Sequence, residues 1–125
     1  MALRLLIVDD NRDHADSLAL LLQFEGHETR VAYDGQQAIE VALSFRPDVL
    51  IVDLVMPILD GFEVAKQLRA MPEFEHSNFV ALSGYSEPTH LDEASKVQFD
   101  EYLLKPLKMG LLLAILSEVS KHAGK

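Results

Sequence analysis

A chain of 125 residues has the length of one ordinary domain and can bury a core of its own. With 49% hydrophobic and 25% charged residues it fits a globular protein, and its net charge of −9 argues against a nucleic-acid surface, which needs a basic stripe for phosphates. The lack of cysteine excludes disulfides and thiol chemistry, and no apolar stretch approaches the roughly 20 residues that span a bilayer. No signal-peptide order opens the chain, so the expectation is a cytoplasmic protein with no membrane insertion and no direct nucleic-acid binding.

In chain order, Leu3 to Val8 is a short apolar run ending at Asp9-Asp10, the pattern of a buried strand. From Asn11 to Phe24, Ala15, Leu18, Leu21 and Leu22 recur at helical spacing, and Gly26 stops the helix. His27 to Tyr33, with Thr29 and Val31 alternating, predicts a second strand. Asp34-Gly35-Gln36-Gln37 resembles a capping box opening a helix through Ala38, Ile39, Ala42 and Leu43. Pro47-Asp48 precedes a third strand, Val49 to Val52, which runs into Asp53. Asp60-Gly61-Phe62-Glu63 repeats the capping logic for a helix that buries Val64, Ala65 and Leu68, and Pro72 closes that region. Phe79 to Leu82 predicts a fourth buried strand running into Ser83, and a short polar helix follows near Pro88 to Val97. Tyr102-Leu103-Leu104 predicts a fifth buried strand running into Lys105-Pro106. The last helix carries the stripe Leu112, Ile115, Leu116 and Val119, flanked by Leu111 and Leu113. Five strands alternating with five helices predict a doubly wound α/β fold with a five-stranded parallel sheet. No linker, repeat or low-complexity tract divides it, so residues 1–125 are expected to form a single domain.

Four strands thus end in Asp9-Asp10, Asp53, Ser83 and Lys105. If all run the same way, these residues meet at the carboxyl edge of the sheet, where open α/β folds place their chemistry. Two carboxylates ~4 Å apart repel by about 1 kcal/mol in water and about 4 at an effective dielectric of 20. Such a cluster needs a cation, or some members must be protonated. Oxygen ligands without histidine or thiolate point to a hard ion such as Mg²⁺. Lys105 adds an ammonium and Ser83 a hydroxyl donor. Together these groups suit phosphoryl transfer to Asp53. Taken singly each residue has a plainer role: Asp9-Asp10 could cap the first helix, and Asp53, Ser83 and Lys105 could be turn or surface residues. The ensemble in this order favours the site. The five histidines show no paired ligand spacing and are expected on the surface.

The same residues resemble the response-regulator receiver domain of two-component signalling, over essentially the whole chain. Val8-Asp9-Asp10-Asn11 is similar to that family's acidic pair, and Pro47 to Pro57 followed by Asp60-Gly61 to its phosphoacceptor strand and loop. Ala81-Leu82-Ser83-Gly84-Tyr85 resembles its hydroxyl strand, and Phe99 to Pro106 its lysine strand. The resemblance implies a flavodoxin-like receiver fold, related to chemotaxis regulators. It implies a phosphoacceptor at Asp53, with Ser83 and Lys105 binding phosphoryl oxygens. It implies Mg²⁺, which Mn²⁺ can replace, on Asp10 and Asp53, on Asp9 through water, and on the Val55 carbonyl. It also implies a cis Lys105-Pro106 bond and a switch in which Ser83 moves and the Tyr102 ring follows, remodelling the surface of the fourth helix, fifth strand and last helix. Without the resemblance, Tyr102 is an edge-strand packing residue. The implied partners are a histidine kinase or histidine-phosphotransfer protein and an unidentified downstream output, with a phosphorylation-dependent dimer admissible. Such a domain signals and catalyses its own phosphorylation and dephosphorylation.

Three positions depart from the pattern. Val55 and Tyr85 are bulky where attacking water must pass, predicting a slowly hydrolysed acyl phosphate. Gln98 replaces a usual glycine, a cost of about 1 kcal/mol if the backbone is left-handed there. Among rivals, a haloacid-dehalogenase-like phosphatase wants a second acid where Val55 stands. A receiver acting without phosphorylation conflicts with the intact acids and lysine, and nucleotide-binding glycine motifs do not occur. The chain is expected to be a stand-alone regulator or one domain of a longer protein, such as a hybrid kinase.

Overall fold

In a computed structural model describing residues 2–54, 61–83, 99–105 and 107–123, with the backbone alone at Phe62, Ser83, His122 and Ala123, strands and helices alternate along the chain. The order is β1 (Arg4–Val8), α1 (Arg12–Phe24), β2 (Glu28–Ala32), α2 (Gly35–Phe45), β3 (Val49–Asp53), α3 (Gly61–Arg69), a 3₁₀ turn (Pro72–Phe74), β4 (Asn78–Ser83), β5 (Glu101–Leu104) and α4 (Met109–Ala123). The five strands form one parallel sheet in the order β2-β1-β3-β4-β5. The doubly wound fold is therefore present, with four α-helices among the described residues. The helix expected near Pro88 to Val97 lies outside them, as does Gln98. Among the described residues no helix is long and apolar enough to cross a membrane.

Strand alternation divides the core in two. Leu6, Val8, Leu50, Val52, Phe79 and Ala81 face α2 and α3. Leu5, Ile7, Val49, Ile51, Val80 and Leu82 face α1 and α4. Central strands apolar on both faces are what a sheet covered on both sides requires. The expected residues Val64, Ala65, Leu68, Leu112 and Leu116 are buried as predicted.

Several expectations need correction. Leu21 is 51% exposed, and Ala19 takes its place on the buried face of α1. The run Leu20-Leu21-Leu22 offers helical spacing in more than one register, and only packing decides among them. Leu43 points outward, and Phe45 is buried instead. The capping box at α2 is only half reciprocal: the Gln37 amide donates to Asp34 Oδ1 at 2.8 Å, but Gln37 Oε1 accepts from Tyr33, one residue before the cap. Pro72 begins a 3₁₀ turn that buries Phe74 rather than simply ending a helix. β5 lies at the sheet edge, as the edge-strand reading of Tyr102 has it, and is not a buried strand, because Tyr102 and Leu104 are exposed there. His27 is not merely a surface residue: its Nδ1 accepts a hydrogen bond from the Leu3 amide at 3.1 Å.

Candidate functional site

Sheet register brings the chemistry together. Val8 pairs with Val52, which sets Asp9 level with Asp53 in the neighbouring strand. Asp53 pairs with Leu82, and Ser83 with Leu104, so Ser83 and Lys105 stand one and two steps further along the same edge. Period two also aligns the side chains. Asp9 continues the face of Leu5 and Ile7, Asp53 that of Val49 and Ile51, and Lys105 that of Leu103, all on the α1 and α4 side.

The Asp9, Asp10 and Asp53 carboxylates offer oxygens within 4.8 Å of one another. Asp9 and Asp53 are buried, 5% and 3% exposed, while Asp10 faces solvent. Lys105 Nζ lies 2.9 Å from Asp53 Oδ2, an ion pair between a buried acid and a partly covered lysine. The Lys105 ammonium therefore faces a cluster of three carboxylates. Burial, reinforced by the Asp53 charge, raises the Asp9 pKa above its ordinary value, while the hydrogen bond from the Asn11 amide acts against that rise. A buried acid pushed toward its protonated form by a neighbouring acid is relieved when a cation arrives. The all-oxygen donor set fits a hard divalent ion such as Mg²⁺.

Local structure holds the acids in place. The Asp9 amide donates to Ala32 O at 3.0 Å, tying the ends of β1 and β2. Asp9 Oδ1 accepts from the Asn11 amide at 2.9 Å. The cap of α1 is Asn11, whose side chain accepts from the His14 amide. The plainer role for Asp9-Asp10, capping that helix, is thus filled by their neighbour, which leaves the carboxylates at the cluster. On the far side of Asp53, α3 starts with Gly61 pressed against the strand end. A Cβ there would collide with the Asp53 carbonyl oxygen and come within 2.9 Å of Leu54 Cα and Val52 Cγ1. The capping expectation at Asp60-Gly61 lies partly outside the described residues, and Gly61 itself serves a close approach behind β3. Asp60 itself lies outside the described residues.

Of the predicted site residues, Asp9, Asp10, Asp53 and Lys105 come together. The Ser83 backbone is in register beside them. Tyr102 lies on β5, 40% exposed and edge-on to buried Phe99 with ring centroids 5.8 Å apart. Val55, Tyr85 and the Lys105-Pro106 bond fall outside the described residues. Sequence reasoning missed a link between Arg69 and Asp100, 2.7 Å apart. Separated by thirty-one positions, these two residues give no local signal.

Residues 5–117 match the family model of the response regulator receiver domain. The response regulator MprA of Mycobacterium ulcerans (strain Agy99) is 37% identical over 114 residues, covering 91% of this chain and 48% of that protein. The chain thus spans about half the length of the curated relatives it matches. The chemotaxis protein CheY4 of Vibrio cholerae superposes with a TM-score of 0.88 at 30% identity, covering 95% of this chain and 99% of that one. The signal receiver domain of a signal transduction histidine kinase from Syntrophus aciditrophicus gives 0.87 at 26% identity, over 94% and 89%.

Proposed function

The chain belongs to the response regulator receiver domain family of two-component signalling, and from that premise we propose that Asp53 accepts a phosphoryl group from a phosphohistidine donor. A histidine kinase or phosphotransfer protein is the partner class that membership implies. The observation carrying the proposal is the Asp53 carboxylate, buried at the carboxyl edge between two acids and the Lys105 ammonium. A carboxylate oxygen of Asp53 attacks phosphorus in line, an O–P bond forms, and the P–N bond to the donor imidazole breaks. The departing imidazole retains its electron pair and takes up a proton.

Each residue has a part in that exchange. Lys105 holds the acceptor's charge beforehand and donates to a phosphoryl oxygen afterwards. Asp9, Asp10 and Asp53 would hold Mg²⁺, with the Val55 carbonyl completing the set. When bound, Mg²⁺ offsets negative charge on the transferring oxygens. Ser83 supplies a hydroxyl to the product, and Tyr102 responds to its movement as part of a two-state surface. The domain catalyses its own phosphorylation and dephosphorylation, and Val55 and Tyr85 restrict the attacking water. Its place of action is the cytoplasm. The intact acids and the Lys105 contact speak against a phosphorylation-independent receiver.

The test is intact mass after incubation with phosphoramidate and Mg²⁺, repeated with a phosphohistidine donor. One phosphoryl adduct is expected on the wild type, lost with chelator and absent from Asp53→Asn. No adduct from either donor, or an undiminished one on Asp53→Asn, would sink the proposal.

A further inference from the structure

Among the described residues, α3 and β5 both reach Asp53, and their far ends meet at the opposite edge of the sheet. On one side α3 begins with Gly61 against the Asp53 carbonyl, its amide donating to Leu54 O at 3.4 Å. On the other, β5 leads to Lys105, whose Nζ lies 2.9 Å from Asp53 Oδ2. α3 ends at Arg69, and Asp100 immediately precedes β5. Arg69 Nη2 and Asp100 Oδ2 pair at 2.7 Å. A ring therefore runs from Asp53 through α3 to Arg69, across to Asp100, and back along β5 to Lys105.

The far closure is anchored by hydrogen bonds and a ring contact besides the ion pair. Asp100 Oδ2 also accepts from the amide of fully buried Phe79 at 2.7 Å, and the Asp100 amide donates to Phe79 O at 2.8 Å. The Arg69 guanidinium lies 4.2 Å over the Phe79 ring and donates to Ser77 O at 3.3 Å. The start of β5 is thereby locked to the start of β4 and the end of α3. Beyond that base, β5 is a four-residue edge strand paired with β4, with Tyr102 and Leu104 largely exposed. A short edge strand gripped at its base places its far end according to that grip.

We propose that the Arg69–Asp100 pair is a remote positioning element for Lys105, setting how firmly the ammonium sits on Asp53. The inference rests on Asp53 as acceptor and the acidic cluster as cation site. Loosening the pair lets β5 relax and Lys105 withdraw. Lys105 competes with a cation for Asp53, so withdrawal tightens cation binding. The same withdrawal deprives the incoming phosphoryl group of its ammonium. General structural damage behaves differently, because it weakens cation binding and slows transfer together.

The experiment measures Mg²⁺ affinity by titration calorimetry and the rate of adduct formation from phosphoramidate at saturating Mg²⁺. It compares wild type, Arg69→Gln, Lys105→Ala and the double variant, with Asp100→Asn as a second route to the same lesion. Circular dichroism fixes a temperature at which every variant is folded. Arg69→Gln should tighten Mg²⁺ binding about twofold to fivefold and slow adduct formation by a similar factor. In the Lys105→Ala background it should leave Mg²⁺ affinity unchanged, and Asp100→Asn should match it in the wild-type background. Unchanged or weaker Mg²⁺ binding in Arg69→Gln and Asp100→Asn, or the same factor added on top of Lys105→Ala, would overturn the proposal. A wild type that binds Mg²⁺ but forms no adduct contradicts the acceptor assignment, while the Mg²⁺ arm still decides on the ring.

Discussion

Asp9 and Asp53 are buried beside solvent-facing Asp10, and Lys105 brings one positive charge to the three. The raised Asp9 pKa means that the folded state holds its proton more tightly than the unfolded chain. Without metal, this contribution to stability is fully present below the ordinary value of 3.8 and declines as pH rises through the raised one. Asp9→Asn, which keeps an oxygen for the Asn11 amide, should therefore raise stability in chelator near neutral pH by about 1 kcal/mol, or roughly 4 °C. It should also lose the stabilisation that Mg²⁺ gives the wild type, and thermal unfolding with and without Mg²⁺ checks both. His27 has the opposite sign. Burial lowers its pKa below 6.5, and its Nδ1 must stay unprotonated to accept from Leu3. The unfolded chain then binds more protons just below pH 6.5, so stability should fall as pH drops through that window and flatten in His27→Gln, as urea unfolding across pH would measure. At Val55, Asn in place of valine should speed loss of the phosphoryl group, read by intact mass over time; an unchanged lifetime removes Val55 from the water path.

At the scale of elements, period and capping located α1, α2, β3 and the apolar face of α3 in the sequence. They did not choose between Ala19 and Leu21, because three successive leucines satisfy helical spacing in several registers and tertiary packing settles which is covered. The edge-strand reading of Tyr102 holds, but the apolar run around it did not show how exposed β5 is, since burial depends on neighbours that the run does not contain. Gly61 shows the same limit. A glycine beside a turn looks like a cap, and only the assembled sheet shows the Asp53 carbonyl behind it. Alanine favours a helix over glycine by about 1 kcal/mol, yet Gly61→Ala should destabilise the domain by about 1–3 kcal/mol through overpacking. It should slow adduct formation as well. Gly110→Ala, in α4 with nothing within 4 Å of the new methyl group, is the control and should be neutral or stabilising in thermal unfolding. If both alanines behave alike, the close approach at Gly61 has no consequence.

For the molecule as a whole, five parallel strands in the order β2-β1-β3-β4-β5 convert distance in sequence into proximity at one edge. Asp53 and Lys105, fifty-two positions apart, meet at 2.9 Å because register sets Lys105 two steps beyond Asp53 and pleat alternation puts both on one face. That convergence was legible early, since four of the strands contain apolar runs that lead into a polar residue. The Arg69–Asp100 closure at the other edge was not, because no motif announces it. At this edge Asp53 is proposed to receive the phosphoryl group. Borohydride reduction of the phosphorylated protein followed by peptide mapping tests it most directly, because an acyl phosphate is reduced where it sits. Homoserine is expected at position 53 and nowhere else; homoserine at another acid, or none despite a phosphoryl adduct in the intact mass, would rule out Asp53 as the acceptor.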